Sequence, residues 1–180
     1  MYDNFSVEHW DRLWRLAIAQ MVILIMFAFN VMTLSIPMLD VIRPAFFLMG
    51  LFYWAIYRPA LLSVLWVLLL GIVYDVLMGF PIGLHSLLFL LIQYVIKTQR
   101  LFFMGQSFIT IWFGFVLALA LLLFSEWVIF SLLQGVMVNI KETAWSLLLS
   151  VFLFPFISML LFLIHKMLPV TNDAHVIGNS

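Results

Sequence analysis

The sequence predicts an all-α, polytopic membrane protein with six transmembrane helices and both termini in the cytoplasm. The composition is the first reason: 67% of the 180 residues are hydrophobic and only 9% are charged, whereas a soluble domain is about 45–50% apolar and about 25% charged. The mean hydropathy of +1.23 is the second. So few charged side chains cannot cover a 20.9 kDa protein in water, which excludes a soluble globular enzyme and a disordered chain.

Charged residues and prolines divide the chain into six apolar segments. A helix needs about 20 apolar residues to cross roughly 30 Å of hydrocarbon, and proline is favoured in the first turn of a helix. The pairs Arg43-Pro44 and Arg58-Pro59 are therefore interpreted as helix starts. Pro155 is expected to kink the last span, because it frees the carbonyl one turn back. The predicted spans are residues 16–39, 41–57, 60–79, 82–96, 108–133 and 143–168.

Two terminal segments lie outside these spans, and the 180 residues together are predicted to form a single integral membrane domain. Residues 1–15 intersperse aromatic and leucine side chains with charged ones, which is typical of a helix lying in the membrane interface. A docking helix for a cytoplasmic partner is the alternative. Residues 169–180 are polar and are expected to form a short, frayed cytoplasmic tail. The first apolar run is too long for the core of a cleavable signal peptide.

The distribution of lysine and arginine predicts the orientation. With the N-terminus inside, only Arg43 and Lys141 fall on the outer side. Because short cytoplasmic loops are enriched in basic residues, we expect both termini in the cytoplasm. The basic residues on that side are Arg12, Arg15, Arg58, Lys97, Arg100 and Lys166.

The remaining totals exclude several kinds of site. Eight basic and eight acidic residues give a net charge of zero, so there is no basic excess for a nucleic acid partner. The chain has no cysteine and its four histidines lie far apart in sequence. Neither a metal site nor a cofactor is therefore expected.

Asp75 is the main polar residue inside a predicted span. An ionisable residue at the centre of a membrane helix costs about 2.5–3.5 kcal/mol on insertion scales, which makes it a functional candidate by default. Gly71, Asp75 and Gly79 are spaced four apart and share one helix face. Small residues on such a face let a neighbouring helix approach closely enough to hydrogen-bond the acid.

An uncharged turn follows this helix and leads to His85. Gly79 suits a helix C-cap with Pro81 as a stop shortly after it, and Gly83 can adopt backbone angles that other residues avoid. The third and fourth spans are therefore predicted to form a tight hairpin, with His85 within about two helical turns of Asp75. We interpret the pair as a hydrogen-bonded clamp of the hairpin. A proton relay or ligand site is the alternative, but no third catalytic group accompanies it.

Three other polar residues in predicted spans, and Gln134 just after the fifth span, receive structural interpretations. Glu126, next to Trp127 near the end of the fifth span, is interpreted as interfacial. Asn30, Gln93 and Gln134 are expected to form hydrogen bonds between helices.

Three features together resemble a known family. The first is the Arg43-Pro44 pair ahead of a short aromatic helix, and the second is the spacing Gly-x3-Asp-x3-Gly-x-Pro-x-Gly-x-His over residues 71–85. The third is a last span with Trp145 near its start and Pro155 in its middle. With six spans in 180 residues, the chain resembles the MreD family of bacterial rod shape-determining membrane proteins over nearly its whole length. The matching signature positions are Arg43, Pro44, Tyr53, Trp54, Gly71, Asp75, Gly79, Pro81, Gly83 and His85.

The resemblance implies a non-enzymatic, multi-pass scaffold in the bacterial cytoplasmic (inner) membrane, with no catalytic residue, cofactor or metal. Such proteins maintain rod shape by binding MreC directly and by helping to organise side-wall peptidoglycan synthesis. The resemblance places MreB, RodA and an elongation-specific transpeptidase in the same complex, and a second MreD copy and membrane lipid are further expected partners. The implied fold is similar to that of the substrate-binding subunits of energy-coupling-factor transporters.

The resemblance does not assign a partner surface. We hypothesise that the face formed by Gly71, Asp75 and Gly79, together with adjoining helices, holds the MreC transmembrane helix or a second copy of the chain. A substrate-binding membrane subunit of a small-molecule transporter is one alternative function, and it requires a cavity lined by convergent polar groups. A lipid-processing enzyme is another, with Asp75 and Glu126 as its candidate acid pair.

Overall fold

The computed structural model describes residues 3–32, 44–134 and 140–167, and this part of the chain is helical. It confirms the predicted all-α class. A 3-10 turn, Pro59–Leu61, connects the second and third helices. The seven α-helices within the described residues are α1 (Asp3–Val31), α2 (Phe46–Tyr57), α3 (Val64–Met78), α4 (Leu84–Thr98), α5 (Arg100–Met104), α6 (Phe108–Gln134) and α7 (Ile140–Met167).

The helices differ in the length of apolar sequence that they offer to a membrane. Within the described residues, Phe108–Leu133 of α6 and Ile140–Lys166 of α7 are long and apolar enough to cross it. The apolar parts of α1 to α4 have 12 to 15 residues, and 15 helical residues reach about 22 Å, less than the roughly 30 Å of hydrocarbon. This architecture fits an α-helical membrane protein, while six complete spans remain a prediction.

The core lies around α2. Ten of its twelve residues, Phe47–Ile56, are buried, and it packs against α1, α4, α5, α6 and α7. The outer helices leave apolar faces open, as Phe113, Leu117 and Leu121 of α6 do at four-residue spacing. Exposed side chains at this spacing share one face of the helix, and in a bilayer such a face meets lipid.

The N-terminus of α2 is capped by two other helices. The first amides of a helix have no partner within it, and Ala45 offers no side-chain cap. Instead the Ala45 N–H donates to Ser150 Oγ of α7 at 3.0 Å, and the Phe47 N–H donates to Asn30 Oδ1 of α1 at 3.4 Å. These bonds fix where α2 begins relative to α1 and α7.

Gln93, which was predicted to bond between helices, bonds instead to the turn before α3, whereas Asn30 joins α1 to α2 as predicted. The amide of Gln93 in α4 donates to the carbonyl oxygen of Leu62 at 3.0 Å. Lys97 Nζ donates to the same oxygen at 2.8 Å. The two side chains tie α4 to the turn before α3. The side chain of Gln134 lies outside the described residues.

The helix starts predicted at Pro44 and Pro59 lie two and five residues before the observed starts of α2 and α3. Pro44 precedes α2, which begins at Phe46. Pro59 begins the 3-10 turn, and α3 starts only at Val64. A residue before proline is pushed out of the helical region of backbone space, and Arg58 has φ −143° and ψ 66°. The break at Arg58 therefore separates α2 from the 3-10 turn. α3 begins only after that turn has ended.

The remaining differences concern α1 and α5. The structure joins the predicted segment 1–15 and the start of the first span into one continuous helix, since Asp3–Val31 contains neither proline nor glycine. The short helix α5 was not predicted. The end of the first predicted span and the tail at 169–180 lie outside the described residues.

Pro155 lies inside α7, and the freed carbonyl that the sequence predicts receives a partner from α6. Proline has no N–H to donate to the carbonyl oxygen four residues earlier, which here belongs to Val151. The indole Nε1 of Trp112 donates to this oxygen at 3.1 Å. α6 and α7 are thus joined by a side-chain-to-backbone hydrogen bond, which replaces the backbone bond that Pro155 cannot make.

Replacing Trp112 by phenylalanine is expected to lower the free energy of unfolding by about 1–3 kcal/mol, because it leaves the Val151 carbonyl unpaired. The same substitution should cost less in a Pro155→Ala background, where the restored backbone N–H satisfies that carbonyl. Unfolding of the four proteins in detergent gives the coupling energy. Equal costs in both backgrounds would contradict the proposed role of the indole.

Candidate functional site

Asp75 is fully buried in the last turn of α3, where its carboxylate caps the next helix. α3 ends at Gly79 with φ +73°, and the chain reverses towards α4. Asp75 Oδ2 accepts the Gly83 N–H at 2.8 Å, and Oδ1 accepts the His85 N–H at 3.1 Å. An acid at this position satisfies amides that lack helical partners and lies at the positive end of the helix dipole.

The imidazole of His85 lies between two carboxylates. Its Nδ1 is 2.6 Å from Asp75 Oδ1, and its Nε2 is 2.7 Å from Glu126 Oε1 of α6. The Asp75–His85 contact expected from the hairpin is therefore confirmed. We call Asp75, His85 and Glu126 the acid–histidine trio. It joins α3, α4 and α6.

The interpretation of Glu126 as an interfacial residue was incomplete, because its carboxylate is hydrogen-bonded to a buried histidine. Only 23% of its side chain is exposed, and the histidine side chain is fully buried. Glu126 is the sole charged residue in the span 108–133. An ionisable group in a membrane helix generally needs a partner, so the sequence indicates that Glu126 has one but not that it is His85.

Each ring nitrogen of His85 lies within hydrogen-bonding distance of a carboxylate oxygen. With both ring nitrogens engaged, the trio acts as a clamp between helices, and no group of His, Asp and Glu in the described ranges is arranged to hold a metal ion.

Aromatic rings enclose the histidine of the trio. The ring centroids of Tyr74 and Phe80 lie 4.6 and 4.7 Å from that of His85, and the ring of Phe89 lies at 5.6 Å. These rings shield the hydrogen bonds from water and strengthen them by lowering the local dielectric. They also hold the imidazole in one orientation.

Gly71 is required where α3 and α4 touch. A Cβ added there would lie 2.4 Å from Ser86 Cα and 2.7 Å from Ser86 N. The hydroxyl of Ser86 also donates to the carbonyl oxygen of Leu68 at 3.1 Å. Gly71 therefore allows α4, a helix of the same chain, to approach α3 closely. The hypothesis that the face of Gly71, Asp75 and Gly79 holds a partner helix stays a prediction: α4 of the same chain covers this face at Gly71, whereas Gly79 is exposed.

A cavity of about 230 Å³ opens beside the trio. It lies among α1, α2, α6 and α7, and it reaches the hairpin at the rings around His85. It brings together polar groups that are distant in sequence. The polar lining residues are Asn30, Glu126, Glu142, Thr143 and Ser146, and its aromatic walls include Tyr74, Trp127 and Phe130.

The family model for the rod shape-determining protein MreD matches residues 11–165. The chain belongs to the MreD family. Most of the described helices, the whole hairpin and all three residues of the trio fall inside the match. A relative, the rod shape-determining protein MreD of Haemophilus influenzae, is 28% identical over 89 residues. The alignment covers 47% of this chain and 55% of the relative, so the chain spans about half the length of the curated relative that it matches. No solved structure matches the chain.

The structure of this MreD-family chain divides the signature positions between two clusters. Asp75 and His85 lie near the start of α2, since the ring of Phe47 is 4.9 Å from that of Phe89. Tyr53 and Trp54 are buried near the end of the same helix. The hairpin cluster also includes Gly71, Gly79, Gly83 and the exposed Pro81, whereas Pro44 is half-buried before α2 and Arg43 lies outside the described residues.

The second cluster is centred on His165 of α7. Tyr53 Oη lies 3.5 Å from His165 Nδ1, and the Trp54 ring stacks on the imidazole with centroids 6.1 Å apart. Arg58 Nε donates to His165 Nε2 at 3.4 Å. No local pattern in the sequence marks His165, because its partners Tyr53 and Arg58 lie about 110 residues away.

Proposed function

We propose that this protein is a non-enzymatic membrane scaffold that maintains rod shape by binding MreC and helping to organise side-wall peptidoglycan synthesis. The match of the MreD family model over residues 11–165 carries the proposal. The structure supports it physically, because the buried ionisable groups are engaged with one another. Asp75 caps a helix and His85 bridges two acids, so these groups stabilise the bundle.

The proposed orientation places both termini in the cytoplasm of a multi-pass inner-membrane protein. Arg100 Nε donates to the carbonyl oxygen of Ile56 at the end of α2, and Arg58 lies at that same end. Lys97 bonds to the turn that follows. The trio lies at the opposite end of α2. Because basic residues favour the cytoplasmic side, the trio is proposed to face the periplasm.

The surface that receives MreC is proposed to lie on the exposed apolar faces of the bundle, since α4 covers the Gly71 face. Two such faces are Leu69 and Val73 of α3, and Phe113 and Leu117 of α6. The chain has no cysteine, so single cysteines at these positions can be tested for disulfide formation with a cysteine scan of the MreC helix. Crosslinks from one face alone would locate the interface, with the other face as the matched control.

Depletion of the protein in its rod-shaped host is expected to give round cells, because the side wall then elongates without its scaffold. The measurement is the length-to-width ratio of the cells after depletion, with plasmid-borne wild-type protein restoring rods. Co-purification of MreC with the wild-type protein is expected alongside. Rods that persist after complete depletion would overturn the proposal.

The cavity beside the trio favours one second candidate, a substrate-binding membrane subunit. Such a function needs convergent polar groups around a concave site, and Asn30, Glu126 and Glu142 line this one. Saturable binding of a vitamin-sized molecule to the purified protein, lost in Glu142→Gln, would support this function. Normal rods after depletion together with such binding would favour it over the scaffold.

A further inference from the structure

A second cavity, of about 280 Å³, lies between α2, α6 and α7 at the end of the bundle away from the trio. Its walls are mostly apolar, with Phe52, Ile56 and Phe154 at the inner side. Met159 and Phe162, at its mouth, are 66% and 59% exposed. The cavity is therefore a groove that opens towards the hydrocarbon of the bilayer.

Polar groups lie at one end of this groove. Tyr53 and Tyr57 line it, and Arg58 follows directly in sequence. His165 lies one turn beyond Phe162 and contacts both Tyr53 and Arg58, at 3.5 and 3.4 Å. The two tyrosines thus form a polar end of the groove, and the imidazole of His165 and the guanidinium of Arg58 lie beside that end.

No ion pair among the described side chains involves Arg58. Both ion pairs among these side chains belong to His85, at the other end of the bundle. A guanidinium has five N–H donors, and the described contacts of Arg58 use only Nε. Arginine binds phosphate with two parallel hydrogen bonds, so Arg58 is suited to an anionic group at the polar end of the groove.

We propose that this groove binds one anionic phospholipid, with an acyl chain between α2, α6 and α7 and the phosphate at Arg58. Basic pockets between membrane helices on the cytoplasmic side bind anionic headgroups. The apolar walls of the groove bind the acyl chain of the same lipid. The inference is independent of MreC binding, since the lipid occupies a gap within the chain's own bundle.

Native mass spectrometry of the delipidated full-length protein tests the proposal by titration with defined lipids. Phosphatidylglycerol is expected to bind at one site about tenfold more tightly than phosphatidylcholine, as one hydrogen-bonded charge implies. Inorganic phosphate alone should not displace it, because it lacks the chains. Equal affinity for the two lipids would overturn the proposal, and so would displacement by millimolar phosphate, which would mark a site for a free ion.

Two variants separate the groove from general surface charge. Arg58→Gln should reduce phosphatidylglycerol binding about tenfold towards the level of phosphatidylcholine, and Arg58→Lys should retain part of the preference. Lys166→Gln is the matched control, because it removes an exposed positive charge next to His165 and should leave the affinity unchanged. Equal losses in Arg58→Gln and Lys166→Gln would contradict a specific site.

A photoreactive phosphatidylglycerol keeps the test valid if Arg58→Gln fails to fold. With the reactive group on the acyl chain, the wild-type protein is expected to be labelled at Met159 and Phe162. Phe113 and Leu117, on an exposed face of α6, are the internal control. Labelling spread evenly over both regions would show that the lipid does not occupy the groove.

Discussion

Replacing Asp75 with alanine is expected to lower the free energy of unfolding by about 3–5 kcal/mol, the cost of removing one partner from a buried charged pair. The carboxylate accepts the Gly83 N–H, the His85 N–H and the hydrogen bond of the His85 ring. All three donors lie in the turn and first residues of α4. Without the acid they are left unpaired in a site that excludes water.

Substitutions at Glu126 should lower the free energy of unfolding less than Asp75→Ala does. The comparison ranks the contributions of the two acids of the trio. Glu126→Gln keeps an oxygen that can accept from His85 Nε2, and the side chain is partly exposed, so we expect a loss of about 1 kcal/mol. Glu142→Ala, an exposed acid at the same cavity, is the matched control and should change little. Unfolding midpoints in mixed detergent measure these effects. An Asp75→Ala protein as stable as the wild type would contradict the clamp.

Gly71→Leu is expected to prevent the hairpin from closing, so that little folded protein accumulates. The added Cβ would meet backbone atoms of Ser86 at 2.4 and 2.7 Å, and backbone cannot move aside as a flexible side chain can. Overpacking typically costs about 1–3 kcal/mol and occasionally more. Here the cost should lie at or above that range, because separating α3 from α4 also separates Asp75 from His85.

Gly79→Ala is the matched control for this substitution. No atom lies within 4 Å of a Cβ at Gly79, but its φ is +73°. The strain alone costs roughly 1–2 kcal/mol, so folded protein should be reduced only modestly. Fluorescence-detected gel filtration of membrane extracts measures the folded fraction. If Gly71→Leu folded at the wild-type level yet lost MreC, this face would be a partner surface after all.

The sequence predicted the hairpin because its determinants are local. Asp75 and His85 are ten residues apart, and the glycines and Pro81 between them specify a tight reversal. The four-residue spacing of Gly71, Asp75 and Gly79 also indicated that a helix approaches closely at the face they share. It could not indicate which helix, since a small residue serves an internal and an external neighbour equally well.

The contacts that the sequence analysis missed are long-range. Glu126 reaches His85 across 41 residues, and Arg58 reaches His165 across 107. Such pairs depend on how α6 and α7 pack, which no local pattern specifies. The helix starts at the Arg-Pro pairs failed for a different reason. Proline restricts the backbone of the residue before it. Arg58 therefore ends α2 and does not begin the next α-helix.

The most direct test of the clamp compares cell shape with the amount of folded protein. Asp75→Ala, Asp75→Asn, His85→Ala and Glu126→Gln would each be expressed over a range of levels in cells depleted of the wild-type protein. If the trio only stabilises the bundle, the length-to-width ratio should follow the folded amount along one curve shared with the wild type. Round cells that contain wild-type amounts of a folded variant would contradict this, and would show that the trio binds a ligand or transfers a proton.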